Sequence, residues 1–317
     1  MRRNKPVRPS SRRSRLLHDP LLDAVEERIL HVSTVDHLDL RGVHLRARGR
    51  PQDDRPLVIW VHTRQQSFAD VEYLRIGRLL VTQGFDVLSI DTRGHDFGAW
   101  YRTPDGPTLH GSAWERFSDC VNDLDAWVEA AQDLGYPGVV LVGHGFGGAK
   151  CLHFQAQRQR SEVRALVLAS SGSAVRDKLP DELLPIAEAL VREGRGLDLL
   201  PWGTGENYAS TVSAEYYLAR TIMRKELYGT PDLPPAVARI RCPLIAWYGS
   251  EEDRPTRKVA DFLDWLTLNA VKAPTVDASL IDGVGFFYRG QEEVVVQHLV
   301  ASLDRLDLRQ AAMRLAT

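Results

Sequence analysis

The chain has 317 residues, of which 44% are hydrophobic and 26% are charged, and its formal net charge is −2. This size suits one large α/β domain with an insertion, and no apolar run approaches the roughly 20 residues of a membrane-spanning helix. The first fifteen residues hold seven basic ones. Without them, 33 Lys and Arg remain against 42 Asp and Glu, a balance of −9 that excludes a basic nucleic-acid-binding body.

The N-terminal segment 1–20 is basic and has no apolar stretch behind it, so neither a secretory nor a twin-arginine signal is satisfied. We expect a disordered, solvated tail; contact with a nucleic acid or a membrane is the alternative. Cys120, Cys151 and Cys242 lack metal-ligand spacing and are expected to be buried in a protein of the reducing cytoplasm. We expect no metal and no cofactor.

Along the chain, strand and helix patterns alternate. Continuous apolar runs are typical of strands buried inside a parallel sheet, and the alternation predicts right-handed crossovers and a doubly wound sheet. Strands are predicted at 35–38, 43–45, 57–61, 85–90, 139–142, 163–168, 244–248 and 276–281, and helices at 69–82, 113–134, 146–158 and 292–306.

Residues 172–240 interrupt this alternation with helical stretches at 180–195 and 213–227. An insertion at this point would cover the C-terminal edge of the sheet, where ligands bind in open α/β sheets. We therefore predict a core of residues 21–171 and 241–317 with a cap of residues 172–240. The aromatic residues of the cap fit either a local core or a pocket wall: Trp202, Tyr208, Tyr216, Tyr217 and Tyr228.

The run 140–148, Val-Leu-Val-Gly-His-Gly-Phe-Gly-Gly, joins a predicted strand to a predicted helix. It has the layout of a G-x-S-x-G nucleophile elbow, a turn so tight that its flanking residues must lack a Cβ. Gly145 stands where the serine of such an elbow would be, and it presents neither a hydroxyl nor a thiol.

From about Ser33 to Leu306 the chain resembles the α/β-hydrolase superfamily, and in particular its capped bacterial esterases. The resemblance rests on four motifs in order: 61–63, 91–95, the elbow and 248–253. It implies a mostly parallel, doubly wound sheet with a helical cap inserted before the penultimate strand.

Three departures from the family pattern bear on function. Gly145 replaces the nucleophile, Phe286 stands where the histidine is expected, and Thr63 stands where glycine is usual beside the oxyanion site. Acyl transfer through a triad needs a proton acceptor within reach of a hydroxyl or thiol. A displaced serine is an alternative, and Ser170, Ser171 and Ser250 lie at strand ends, but none has an elbow or a placed histidine.

The acid loop is the part of the motif set that survives. Glu252 aligns best with the family's acid, and Asp253 follows it. In a dry pocket such a carboxylate becomes a competent base; a solvated acidic turn is the alternative. His144 is the third catalytic candidate, although a histidine at this elbow position also occurs as a packed residue in active members of the family.

Two classes of function follow. The first is a repurposed enzyme that forms no acyl-enzyme and performs elimination, isomerisation or cyclisation, as some α/β-hydrolase-like proteins of natural-product (tetronate) pathways do. The second is an inactive binder or scaffold. Either would take a small hydrophobic molecule with a polar or carbonyl group, in a pocket lined by Thr63, Arg64, Gly145, Phe146, Phe286, Tyr288 and Trp202.

Overall fold

The computed structural model describes residues 19–172, 181–201, 211–253 and 258–308. Among these, eight strands form one sheet in the order β1-β2-β4-β3-β7-β8-β9-β10. The pairs β1–β2 and β2–β4 are antiparallel and the others are parallel. The strands are β1 (Val25–Ser33), β2 (Asp39–Ala47), β3 (Leu57–Val61), β4 (Val87–Ile90), β7 (Val139–His144), β8 (Val163–Ala169), β9 (Leu244–Gly249) and β10 (Val276–Ile281). The expected mostly parallel α/β sheet is confirmed.

Helices cover both faces of the sheet because its strands are apolar on both sides. Alternate residues of β3 illustrate this: Leu57 and Ile59 join one buried cluster with α2 and α3, while Val58 and Trp60 join a second with α1 and α7. The helices of the core are α1 (Val71–Thr82), α2 (Cys120–Asp133), α3 (Phe146–Arg158), α6 (Val259–Asn269) and α7 (Glu292–Arg305).

Three elements differ from the sequence expectation. The first strand is β1, and residues 35–38, expected as a strand, lie in the turn between β1 and β2. β1 escaped detection because it is an edge strand whose side chains are mostly exposed and do not form an apolar run. The other two were not expected: helix α6, and a two-stranded hairpin of β5 (Ala99–Thr103) and β6 (Gly106–His110).

Within residues 172–240, the described part holds α4 (Leu184–Arg192) and α5 (Ala214–Tyr228). They share a small core that includes Tyr216 and Tyr217, so these two aromatics pack locally. At the base of α5, the Ser213 amide donates to the Ala113 carbonyl at 2.8 Å, which ties the helix to the segment before α2.

The described residues contain no helix that is both long enough and apolar enough to cross a membrane. The basic segment 1–18 and Trp202 lie outside the described residues.

Candidate functional site

The turn between β7 and α3 has the geometry of a nucleophile elbow. Gly145 has φ 51° and ψ −117°, a left-handed conformation that strains any residue with a Cβ. The turn closes tightly, since a Cβ on Gly143 would lie 2.3 Å from the Cα of Gly148. The chain has therefore kept the strained turn while its apex lacks a side chain.

Two side chains occupy the space of the missing nucleophile. A Cβ built on Gly145 would lie 2.1 Å from Thr63 Oγ1 and 2.8 Å from Phe286 Cζ. These distances are far below van der Waals contact. The place where a serine side chain would begin is filled from the loop after β3 on one side and from the loop after β10 on the other.

Thr63 also accepts the hydrogen bond of the backbone amide at the oxyanion position. The Phe146 amide, next after the elbow apex, donates to Thr63 Oγ1 at 3.0 Å. In the esterase mechanism this N–H stabilises the oxyanion of the tetrahedral intermediate. Here a hydroxyl of the protein takes the position of the substrate oxygen, so a carbonyl cannot bind there unless Thr63 moves.

His144 is locked beneath the elbow by hydrogen bonds at both ring nitrogens. Nε2 lies 2.8 Å from the Phe286 carbonyl, which can only accept, so Nε2 carries the proton. Nδ1 lies 2.7 Å from the Tyr73 hydroxyl. Complete burial lowers the pKa of His144 to about 4. The ring is neutral at pH 7 and has no nitrogen available to a ligand, so we reassign His144 from candidate base to support for Phe286.

Phe286 is held by this support and by a ring contact. The centre of its ring lies 4.7 Å from that of the His144 ring, in a tilted arrangement. The Tyr288 ring also contacts His144, with its centre 4.8 Å away. Tyr288 is only 1% exposed. We therefore reassign Tyr288 from the pocket wall to the layer behind it, where its hydroxyl serves another network.

That network ends on Glu252. The Trp247 indole donates to the Tyr288 hydroxyl at 3.1 Å, Tyr288 lies 2.7 Å from Ser170 Oγ, and Ser170 donates to Glu252 Oε1 at 2.6 Å. An indole can only donate and a carboxylate can only accept. The hydroxyls of Tyr288 and Ser170 therefore each donate to the next member of the network, in the direction of Glu252. The Gly249 amide adds a further donor at 2.8 Å.

The backbone is strained at two members of this network. Ser170 has φ 51° and Tyr288 has φ 58°, in the region that favours glycine. Such strain persists where the surrounding structure imposes it, often at functional sites. Ser170 was not expected to have a strained presentation; it has one, but it is only 4% exposed.

Asp253 faces away from this network. It is exposed, its carboxylate pairs with Lys258 at 2.8 Å, and it accepts from the Val259 amide at the start of α6. The hydrogen bond from Lys258 lowers the pKa of Asp253. Its position is that of the solvated acidic turn, and we reassign it from candidate base to cap of α6.

Arg64 lies between the sheet edge and the cap. Its guanidinium donates to the Ser112 carbonyl at 3.1 Å and sits 4.9 Å from the centre of the Tyr216 ring of α5. Arg64 therefore joins the cap to the core beside Thr63. No group of three or more His, Cys, Asp or Glu within the described part of the chain could hold a metal ion.

The comparisons with known proteins agree with this fold. Residues 52–202 match the family model of the serine aminopeptidases S33, a segment that spans β3, the elbow and β8. Solved structures of the same fold include esterases that align over nearly their whole length, as described below. The chain has the α/β-hydrolase fold.

Three solved structures of similar fold show the extent of the likeness. A thermostable carboxyl esterase from Bacillus coagulans has a TM-score of 0.64 at 12% identity, covering 88% of this chain and 98% of its own. Est1E from Butyrivibrio proteoclasticus, with ferulic acid bound, has 0.62 at 15%, covering 88% and 99%. DcsB in complex with its substrate analogue has 0.63 at 14%, covering 90% and 99%. No curated protein sequence matches this chain.

Sequence reasoning missed how the site at the elbow is closed. Thr63 was noted as a departure, but its bond to the Phe146 amide depends on how closely β3 approaches the elbow. The hydrogen bond between Ser170 and Tyr288 joins residues 118 positions apart, and no local sequence pattern predicts it. The one available signal was that two serines, Ser170 and Ser171, follow a buried strand where the ligand-binding edge is expected.

The burial of His144 predicts how stability depends on pH. An unfolded imidazole takes up its proton near pH 6.5, whereas the folded pKa is about 4. Between these values the unfolded state binds more protons, so stability decreases as the pH falls from about 6.5 to about 4. Urea unfolding across this range measures the loss, which His144→Asn should reduce.

Nitrogen-15 NMR of the ring provides the direct check. Near pH 6 we expect His144 to be neutral and protonated at Nε2. A ring that titrates near pH 6.5, or one protonated at Nδ1, would contradict the assigned role.

Proposed function

We propose that this chain is a non-hydrolytic member of the superfamily that binds a small, largely apolar molecule beneath its cap. One observation carries the proposal: Thr63 Oγ1 and the Phe286 ring fill the space of the nucleophile, 2.1 and 2.8 Å from where its Cβ would stand. The bond from the Phe146 amide to Thr63 removes the oxyanion donor as well. Acyl transfer then lacks its nucleophile, its base and its oxyanion site.

Within this proposal, Glu252 is the acid–base group of a repurposed enzyme. It is half-buried, and the Trp247–Tyr288–Ser170 chain directs three donors in succession toward its carboxylate. A fixed carboxylate beside an apolar floor suits proton transfer in an elimination, isomerisation or cyclisation. Similar folds hold small organic molecules, as ferulic acid on Est1E and the substrate analogue on DcsB illustrate, which supports a pocket of this kind. The proposal includes that the reaction belongs to a natural-product biosynthetic pathway.

A catalytically silent binder is the second candidate. The observation in its favour is that the polar groups of the floor already bond within the protein: the Phe146 amide to Thr63, and both nitrogens of His144 to Phe286 and Tyr73. A floor satisfied in this way needs no reacting partner. It would select ligands by shape and apolar contact.

The first test concerns hydrolysis itself. Turnover of simple aryl esters should not exceed background, and serine-directed phosphonate probes should leave the protein mass unchanged, because the apex of the elbow carries no hydroxyl and Ser170 is only 4% exposed. Intact-mass spectrometry measures the labelling. A labelled peptide containing Ser170 would instead establish a displaced nucleophile with Glu252 as its base, and would overturn the proposal.

The second test restores the missing groups. Gly145→Ser alone should give no efficient esterase and should destabilise the elbow, because its Cβ would meet Thr63 and Phe286 at a φ of 51°. The triple variant Thr63→Gly, Gly145→Ser, Phe286→His removes both contacts, frees the oxyanion donor and supplies an imidazole. Its aryl-ester turnover should exceed that of the single variant by about 10²-fold or more.

Strong activity of the single variant would mean that a base other than the residue at position 286 is present. His144 would then be the first residue to replace. That result would contradict the account of the closed elbow.

The third test separates the enzyme from the binder. Pathway metabolites incubated with the protein are followed by mass spectrometry, with wild type compared to Glu252→Gln. For an enzyme, the substitution should lower turnover by about 10²-fold or more and change affinity little. Asp253→Asn, at the exposed neighbouring residue, is the matched control and should leave turnover unchanged. Metabolites that bind and are never altered would exclude the enzyme and leave the binder.

A further inference from the structure

A cavity of about 510 Å³ lies at the end of the sheet opposite the elbow. It is lined by the C-terminal part of α3, by the start of β8 and by the residues that lead into β9 and β10. Gln155, in its wall, follows Phe146 by nine residues of α3, which is roughly 14 Å along the helix axis. The cavity is therefore separate from the proposed pocket beneath the cap.

The wall of this cavity is positively charged. Arg160, Arg239, Arg241 and Lys272 line it, and among the described residues no carboxylate does. Arg160 is already neutralised by neighbouring carboxylates, with Asp125 at 3.2 Å among them. The other three cations form no ion pair with any residue that the structure describes. Three positive charges therefore surround one cavity without compensation, and we call this site the basic cavity.

Capping of α3 does not explain all of these charges. Cations near the end of a helix can satisfy its last carbonyls and interact with its dipole. Here the Ala156 carbonyl already accepts from Gln159 Nε2 at 3.3 Å and from Arg239 Nε at 3.4 Å. Arg241 and Lys272 are exposed and make no hydrogen bond within the described part of the chain. Their charges are thus available to a ligand.

A buried amide in the same wall has an unmet acceptor. Gln155 is only 3% exposed, and its Nε2 donates to the Arg160 carbonyl at 3.1 Å. This bond fixes the orientation of the amide, because a flipped amide would turn its oxygen toward a carbonyl. Gln155 Oε1 has no hydrogen-bond partner among the described residues, although buried polar atoms are almost always bonded. The wall thus offers an acceptor beside its positive charges.

We propose that the basic cavity binds a small phosphate monoester that also carries a hydroxyl group. A monoester has about two negative charges at neutral pH, which match three uncompensated cations better than the single charge of a carboxylate. Guanidinium groups also bind phosphate oxygens in pairs. The phosphate lies among Arg239, Arg241 and Lys272, and the hydroxyl donates to Gln155 Oε1. This site goes beyond the proposed function and does not depend on it.

The test compares two esters of equal chain length, glycerol phosphate esterified at its terminal oxygen and propyl phosphate, which lacks the hydroxyls. Isothermal titration calorimetry on the full chain at one ionic strength measures their dissociation constants, since salt screens exposed charges. Arg241→Gln with Lys272→Gln removes two charges at exposed positions, and Gln155→Met removes the acceptor at similar volume. Arg102→Gln, exposed in the β5–β6 hairpin, is the control.

We expect wild type to bind glycerol phosphate more tightly than propyl phosphate. The double variant should raise the dissociation constant of glycerol phosphate about 10-fold or more, because charge-assisted hydrogen bonds are lost. Gln155→Met should raise it about 3-fold or more and leave that of propyl phosphate unchanged. Arg102→Gln should change neither constant.

Three results would overturn the inference: no saturable binding of glycerol phosphate to wild type, equal affinity for the two esters, or an unchanged constant in the double variant. Weakening by Arg102→Gln equal to that in the double variant would also overturn it, since the attraction would then come from net charge alone. If Gln155→Met does not fold, the comparison of the two esters on wild type decides the hydroxyl assignment. All of these results leave the proposed function intact, because the ligand of the pocket beneath the cap is a different one.

Discussion

The hydrogen bond from the Phe146 amide to Thr63 Oγ1 determines how the rest of this site is arranged. A threonine can reach that amide only if the elbow apex carries no side chain, since a Cβ on Gly145 would lie 2.1 Å from the same oxygen. The lack of a side chain at position 145 and the hydrogen bond between Thr63 and the Phe146 amide therefore depend on each other sterically. The Phe286 ring completes it from the opposite side, and the buried, neutral His144 holds the Phe286 carbonyl in place. The fold has kept the strained turn of a hydrolase and filled the space that the strain creates.

Buried or half-buried polar groups lie on both sides of the closed elbow. On one flank, Glu252 receives a one-way chain of donors through Ser170, whose backbone is itself strained. On the other, Lys150 and Glu115 form a buried ion pair in which Nζ lies 2.6 Å from Oε2. Neither arrangement is explained by packing, because apolar residues would serve packing as well.

The sequence predicts the sheet well because β3, β7, β8 and β9 are continuous apolar runs buried on both faces, a pattern that few other structures produce. It fails at β1 and at the β5–β6 hairpin, whose partly exposed edge residues lack that pattern. The elbow could be located because its glycines have a steric cause. The Thr63 bond, the Ser170–Tyr288 link and the Lys150–Glu115 pair could not, since each joins side chains from separate elements at distances that only the folded chain defines. Lys150 offered one signal, a lysine inside an otherwise apolar helix face.

The most direct measurement of the closed elbow is hydrogen exchange at the Phe146 amide, followed by NMR in the wild type and in Thr63→Val. The account predicts strong protection in the wild type, because the amide bonds to a buried side-chain oxygen, and much faster exchange in Thr63→Val, which keeps the shape and removes the acceptor. Thr108→Val in the hairpin should leave Phe146 unchanged. Fast exchange in the wild type, or equal protection in both proteins, would show that Thr63 does not occupy the oxyanion donor and would contradict the central claim.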